Sequence, residues 1–140
     1  MKRLMLKSLV AAVAMASLGL ASAQEIREHT IKFGANAAEG HPAVAGMRKF
    51  AELVAAKSGG KMKVNLFLNN ALGSDQAVVS SMKGGTVEMS VMNTGILASE
   101  AKELAIFDFP FLFANEKESD ALVDGPVGKK LHAKLEEKGL

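Results

Sequence analysis

Three histidines, His29, His41 and His132, are the only imidazoles available for acid–base chemistry or metal ligation, and the chain has no cysteine. No His-x-x-x-His pair and no Gly-x-Ser-x-Gly nucleophile turn occurs. The missing thiols remove disulfides, zinc–thiolate centres and cysteine nucleophiles together. His29 falls in a polar lead and His132 on a lysine-rich helix, so each reads as a solvated side chain. His41 differs, because His41-Pro42 follows the first predicted strand, near the carboxyl end of the sheet where α/β domains collect ligands. It fits a helix start better than ligand contact, and both readings stand. Gly34, Gly40 and Gly46 do not make a Gly-x-Gly-x-x-Gly turn, and no Gly-Lys-Ser/Thr phosphate loop is present. No nucleotide cofactor is indicated. The residues that could do chemistry form no catalytic constellation and no metal motif, which favours capture of a molecule over its transformation.

The elements that would position such a binding site are legible from periodicity. Ile31-Lys-Phe-Gly-Ala-Asn36 reads as a strand breaking into a turn, followed by a helix over Ala43 to Ser58 with Met47, Phe50, Ala51 and Val54 on one face. Ser58-Gly59-Gly60 supplies the left-handed residue that ends a helix. Met62 to Leu68 alternates apolar Met62, Val64, Leu66 and Leu68 with Lys63 and Asn65, the period of a strand with one better-buried face, and Asn69-Asn70 ends it. Ser74 or Asp75 can cap the next helix, which runs through Met82 to Gly84-Gly85. A third strand is expected at Val87 to Asn93, buried on both faces.

Strand and helix alternating with short connections predicts an α/β fold with a mostly parallel sheet. Further on, Phe107, Phe109, Phe111 and Phe113 occur at every second position, so an extended segment would place four of the seven phenylalanines on one side as core. Glu116 to Val123 and Val127 to Lys138 read as helices, the latter with Val127, Leu131 and Leu135 at spacing four.

The first 23 residues have a different character. Lys2, Arg3 and Lys7 precede the apolar run Leu9 to Leu20, and Ala21-Ser-Ala23 follows. A run of this length is too short to span a bilayer, and the small residues suit a signal peptidase, so a secretory signal cleaved after Ala23 is expected. Those three basic residues account for the formal charge of +2, since the chain holds 17 Lys+Arg and 15 Asp+Glu. Residues 24–140 therefore carry fourteen basic against fifteen acidic groups, a net charge near −1. With charges scattered and no basic stripe interleaved with aromatics, nucleic acid is not an expected partner.

Several of these segments together resemble the DctP-like solute-binding subunit of tripartite ATP-independent (TRAP) transporters. They are Ile31-Lys-Phe-Gly-Ala-Asn36, Ser58-Gly-Gly-Lys-Met-Lys-Val64, Ala71-Leu-Gly-Ser-Asp-Gln76, Lys83-Gly-Gly-Thr-Val-Glu-Met89 and Phe107-Asp-Phe-Pro-Phe-Leu-Phe113, in this order. The resemblance implies a two-lobed, periplasmic-binding-protein-like fold with the ligand between the lobes. Residues 24–140 would then be the first part of lobe one, the second lobe lying outside this chain, which makes it a fragment of such a protein. It also implies a periplasmic, non-enzymatic protein that captures a small organic acid, such as a C4-dicarboxylate, sugar acid or keto acid. The partners would be the membrane permease subunits, with no membrane insertion once the signal is removed.

A closed cleft strips water from the ligand's carboxylate, and an arginine fork is the best replacement. Arg27 precedes the first strand and Arg48 lies on the outer face of the first helix, so neither is placed for that role. The family arginine is expected downstream. The positions the resemblance carries over to ligand contact are the cleft-facing loop residues Asn36, Asp75 and Asn93, with His41 beside them. Turn chemistry is the competing reading for Asn36 and Asn93, because Asn tolerates left-handed backbone. For Asp75 it is helix capping.

Overall fold

The computed structural model describes residues 26–140, so the expected signal segment 1–23 lies outside the described residues. Three parallel strands, β1 (His29–Ala35), β2 (Met62–Phe67) and β3 (Met89–Val91), form one sheet in the order β2-β1-β3. Helices α1 (Pro42–Lys57) and α2 (Asp75–Lys83) connect them, and α3 (Glu116–Val123) and α4 (Pro126–Glu136) follow two 3-10 segments, Thr94–Ser99 and Lys102–Asp108. The expected α/β alternation and parallel pairing are what the chain adopts.

Local chemistry sets the element ends. Pro42 and Pro126 each open a helix, where the missing N–H costs nothing and the fixed φ is already helical. At the other end of α1, Gly59 (φ 62°) and Gly60 (φ 80°) turn left-handed, and Gly60 N–H donates to the Ala55 carbonyl at 2.8 Å. The buried Ser58 then fastens this turn to β2, its Oγ accepting from Met62 N–H at 3.0 Å. Strand register follows, with His29 opposite Met62 and Gly34 opposite Phe67.

Because side chains alternate across β1, its two faces serve two helices. Phe33 and Ala35 pack with Met47 of α1, joined by Val64, Leu66 and Met89. Phe50 touches Phe33 edge-on at a centroid distance of 5.7 Å. On the opposite face the small Gly34 lets Leu72 and α2 approach, since a Cβ there would lie 3.1 Å from Leu72 Cδ1. A separate cluster of Ala101, Leu104 and Leu131, with Leu97, Phe107 and Leu135, holds the 3-10 segments to α4.

Four expectations are corrected. The third strand is only Met89–Val91, and it is an edge strand rather than one buried on both faces: Met89 and Ser90 are half-buried and Val91 is exposed. The four phenylalanines do not line one side of an extended core segment. Phe107 sits in the 3-10 segment, whose period is not two, while Phe109 and Phe111 are 64% and 101% exposed beyond it. Phe111 is itself left-handed at φ 57°, next to Pro110 in a turn. His29 is the first residue of β1, not part of a lead, although it is exposed as expected. Val127, in the first turn of α4, is exposed, leaving Leu131 and Leu135 to face the cluster.

Candidate functional site

In a parallel sheet of order 2-1-3, successive connections leave β1 in opposite directions, and the crevice opens between the carboxyl ends of β1 and β3. Ser90 Oγ donates to the Gly34 carbonyl at 3.1 Å and closes the floor of this crevice. The loop after β2 folds over the loop after β1 by two backbone bonds, Asn69 N–H to Ala37 O at 3.2 Å and Asn70 N–H to Ala35 O at 3.4 Å. Both asparagines reach this arrangement through left-handed backbone, φ 53° and 56°. The result is a recess lined by Asn36, Asn70, Leu72, Asp75, Val78 and Ser90 among others, with a volume of about 10 Å³. That is room for roughly one water molecule, so this is a shallow crevice and not an enclosing pocket.

Two of the sequence-predicted residues meet here. Asn36 Nδ2 donates to Asp75 Oδ2 at 3.1 Å. Ser74 caps α2, accepting from Ala77 N–H at 3.3 Å, so Asp75 is released from capping and stands at the first helical position with its carboxylate in the recess. Asn36 is not left-handed, and its side-chain amide goes to Asp75, so left-handed backbone is not what places asparagine there.

The other two lie apart. His41 is the N-cap of α1, its Nδ1 accepting from Ala43 N–H at 3.1 Å, so it takes the helix-start role. Asn93 precedes the first 3-10 segment with extended backbone, makes no side-chain cap bond and does not line the recess. Asn70 and Ser90 line the recess as well. The Asn69-Asn70 pair marks a strand end in the sequence, and two adjacent asparagines at a strand's carboxyl end also signal a left-handed loop that can carry side chains into a crevice.

Charge is distributed in the same sense. Arg48 forms a two-bonded fork with Glu39, Nε to Oε1 at 3.1 Å and Nη2 to Oε2 at 2.6 Å, on the exposed side of the β1–α1 connection. The Arg48 side chain holds the Glu39 carboxyl below its usual range. The guanidinium is thus engaged outside the recess, as its place on the outer helix face implied. Glu88 accepts from Lys32 N–H at 2.7 Å, taking over where β3 no longer pairs with β1, and that bond lowers its pKa. Among the described residues no group of three or more His, Asp or Glu could hold a metal ion, and no helix is long and apolar enough to cross a membrane.

Residues 33–140 match the model of the DctP family, bacterial extracellular solute-binding protein family 7. The chain is 30% identical over 135 residues to the 2,3-diketo-L-gulonate-binding periplasmic protein YiaO of Escherichia coli, covering 96% of this chain and 41% of that protein. It is likewise 30% identical to the C4-dicarboxylate-binding periplasmic protein DctP of Rhodobacter capsulatus, covering 99% and 41%. A TRAP periplasmic solute-binding protein from Ochrobactrum anthropi superposes with a TM-score of 0.79 at 51% identity, over 82% of this chain and 36% of that one. The sugar acid binding protein DctPAm from Advenella mimigardefordensis, solved with galactonate, gives 0.79 at 44% identity, over 81% and 37%. The chain spans about two fifths of the length of these two curated relatives. With its family model covering most of the sequence and its fold superposing on solved members, the chain belongs to the DctP family of TRAP-type extracellular solute-binding proteins.

Proposed function

We propose that this chain forms part of the first lobe of a periplasmic receptor that captures a small carboxylate, a C4-dicarboxylate, sugar acid or keto acid, and delivers it to an ion-gradient-driven TRAP permease. The observation that carries this reading is the convergence of Asn36, Asn70 and Asp75 on the crevice at the carboxyl ends of the strands, in a family whose solved members include a sugar acid complex. Polar side chains on a shallow wall suit a ligand sandwiched against a second wall, and closure of two walls would couple capture to delivery. The role we assign is binding without chemistry, in keeping with the solute-binding family to which the chain belongs. Residues 1–23 would direct export and then be removed, and mass spectrometry of the exported protein should find an amino terminus at Gln24.

The direct test is thermal unfolding of the complete gene product with a panel of organic acids. A ligand bound only by the native state raises the midpoint, by about 2.7 kcal/mol of stability at a hundredfold excess over its dissociation constant. A response to organic acids supports the reading; a response confined to neutral sugars or amino acids sinks it.

A further inference from the structure

The described residues pack around two separate interiors. Phe33, Ala35 and Met47 centre the first, between the sheet and α1, and none of its members lies beyond Met89. Ala101, Leu104 and Leu131 centre the second, between the 3-10 segments and α4, and the two clusters share no residue. The second group has polar fastenings of its own. Lys134 Nζ pairs with Glu103 Oε1 at 2.8 Å, and Asn115 caps α3 by accepting from Glu118 N–H at 3.1 Å. The chain passes from the first group to the second through Met92 and Asn93, and Asn93 is exposed, extended and without a side-chain cap bond.

Among the described residues one ion pair joins the two groups. Lys83, the last residue of α2, places Nζ 2.7 Å from Oε2 of Glu100, which lies between the two 3-10 segments. The Glu100 side chain is only 20% exposed, whereas the carboxylates of the other ion pairs are at least half exposed, so solvent screens this pair least. Its lysine end is fixed, because Thr86 donates to the Ser81 carbonyl from both N–H, at 2.9 Å, and Oγ1, at 3.1 Å, closing α2 through the left-handed Gly85. Its carboxylate end precedes the buried Ala101, whose N–H donates to Leu97 O at 2.9 Å. From this arrangement we infer that residues 94–140 unfold and refold as a cooperative unit of their own while the sheet stays folded, with the Lys83–Glu100 pair as the latch on that opening. A segment with its own interior and few links to its neighbour opens below the global unfolding free energy. Opening beyond Asn93 leaves the Phe33–Met47 core whole, breaks the latch and releases the second cluster as a block.

Native-state hydrogen exchange of the complete gene product in rising urea separates the two units. The amides of Leu104, Leu131 and Leu135 should exchange through one shared opening that comes before the opening of Ile31 and Phe33 in β1. Lys83→Ala and Glu100→Gln should each raise exchange in the first set about two- to fivefold, the scale of a partly exposed ion pair. The double variant should add little to either single one, and Ile31 and Phe33 should keep their parent rates. Glu100→Gln leaves the Lys83 charge at the carboxyl end of α2, so acceleration seen only in Lys83→Ala would trace to the helix dipole and overturn the latch. If both sets of amides open together at every urea concentration, the two groups are one unit and the inference falls. If the first set opens early but responds to neither substitution, the latch is wrong and the inference falls as well.

Discussion

Asn36 Nδ2 stands 3.1 Å from Asp75 Oδ2, and this bond ties the loop leaving β1 to the first residue of α2, 39 positions later in the chain. It spans the mouth of the crevice and fixes both side chains at once. The bond is exposed, so its worth in stability lies at the low end of the usual range, about 0.5 kcal/mol for Asn36→Ala. Asn36→Asp replaces attraction by repulsion between two carboxylates and should cost more, about 1 kcal/mol or above. Urea denaturation of both variants checks the order; an Asn36→Asp protein no less stable than Asn36→Ala would show that the pair does not form.

Glu88 gives a pH-dependent prediction. Its folded pKa lies below the ordinary 4.5 chiefly because Lys32 N–H donates to it, with the Lys32 and His29 charges adding in the same direction. A depressed folded pKa means that the unfolded chain binds the proton more readily. The stabilising contribution is therefore complete above the unfolded value and is lost as pH falls through the folded one. Stability should decline below pH 4.5 with a component that Glu88→Gln removes, and an NMR titration of the Glu88 carboxyl should find its midpoint below 4.5. A midpoint at or above the ordinary value would mean that the bond to the β1 backbone is absent in solution.

The sheet and its helices were legible because each rests on local signals that agree with the global fold. Pro42 with its His41 cap, the Ser58-Gly59-Gly60 stop and the alternation from Met62 each specify an element end or face unaided. Asp75 was legible both as one of two possible caps and, through the family resemblance, as a ligand contact, and choosing Ser74 as the cap required geometry. Asn70 and Ser90 were hidden because what matters about them is three-dimensional: a left-handed turn that folds one loop over another, and a hydroxyl facing across two paired strands. The phenylalanine run misled for a physical reason. A spacing of two carries meaning only in extended chain, and residues 102–108 coil as a 3-10 segment while Phe111 turns left-handed.

Arg48 and Glu39 form the one two-bonded ion pair among the described residues, and its energetic weight should still be small. Both side chains are more than half exposed, at 57% and 64%, where screening and ordering entropy offset the Coulomb gain. A double-mutant cycle with Arg48→Ala and Glu39→Ala should return only a small coupling that fades in high salt. Ligand affinity should be unchanged in Arg48→Ala, since the guanidinium lies outside the recess. A loss of organic acid binding in that variant would move Arg48 into the site and reverse its assignment here.

The junction between α3 and α4 is where a single methyl group should do most damage. Gly128 is buried in the first turn of α4, and a Cβ at this position would overlap the carbonyl oxygen of Val123, the last residue of α3. The obstacle is backbone, so no rotamer change relieves it, and α4 would have to move away from α3. That movement would draw Leu131 out of its cluster with Ala101 and Leu104, and truncating a buried leucine costs about 2–5 kcal/mol. Gly128→Ala should therefore destabilise by a similar amount despite the higher helix propensity of alanine, which alone would favour the variant by up to about 1 kcal/mol. Leu131→Ala provides the scale. If Gly128→Ala proves as stable as the parent in chemical denaturation, α3 and α4 are not held as closely as this geometry requires; if it matches or exceeds the loss in Leu131→Ala, the close approach at Gly128 is what seats α4 on the rest of the lobe.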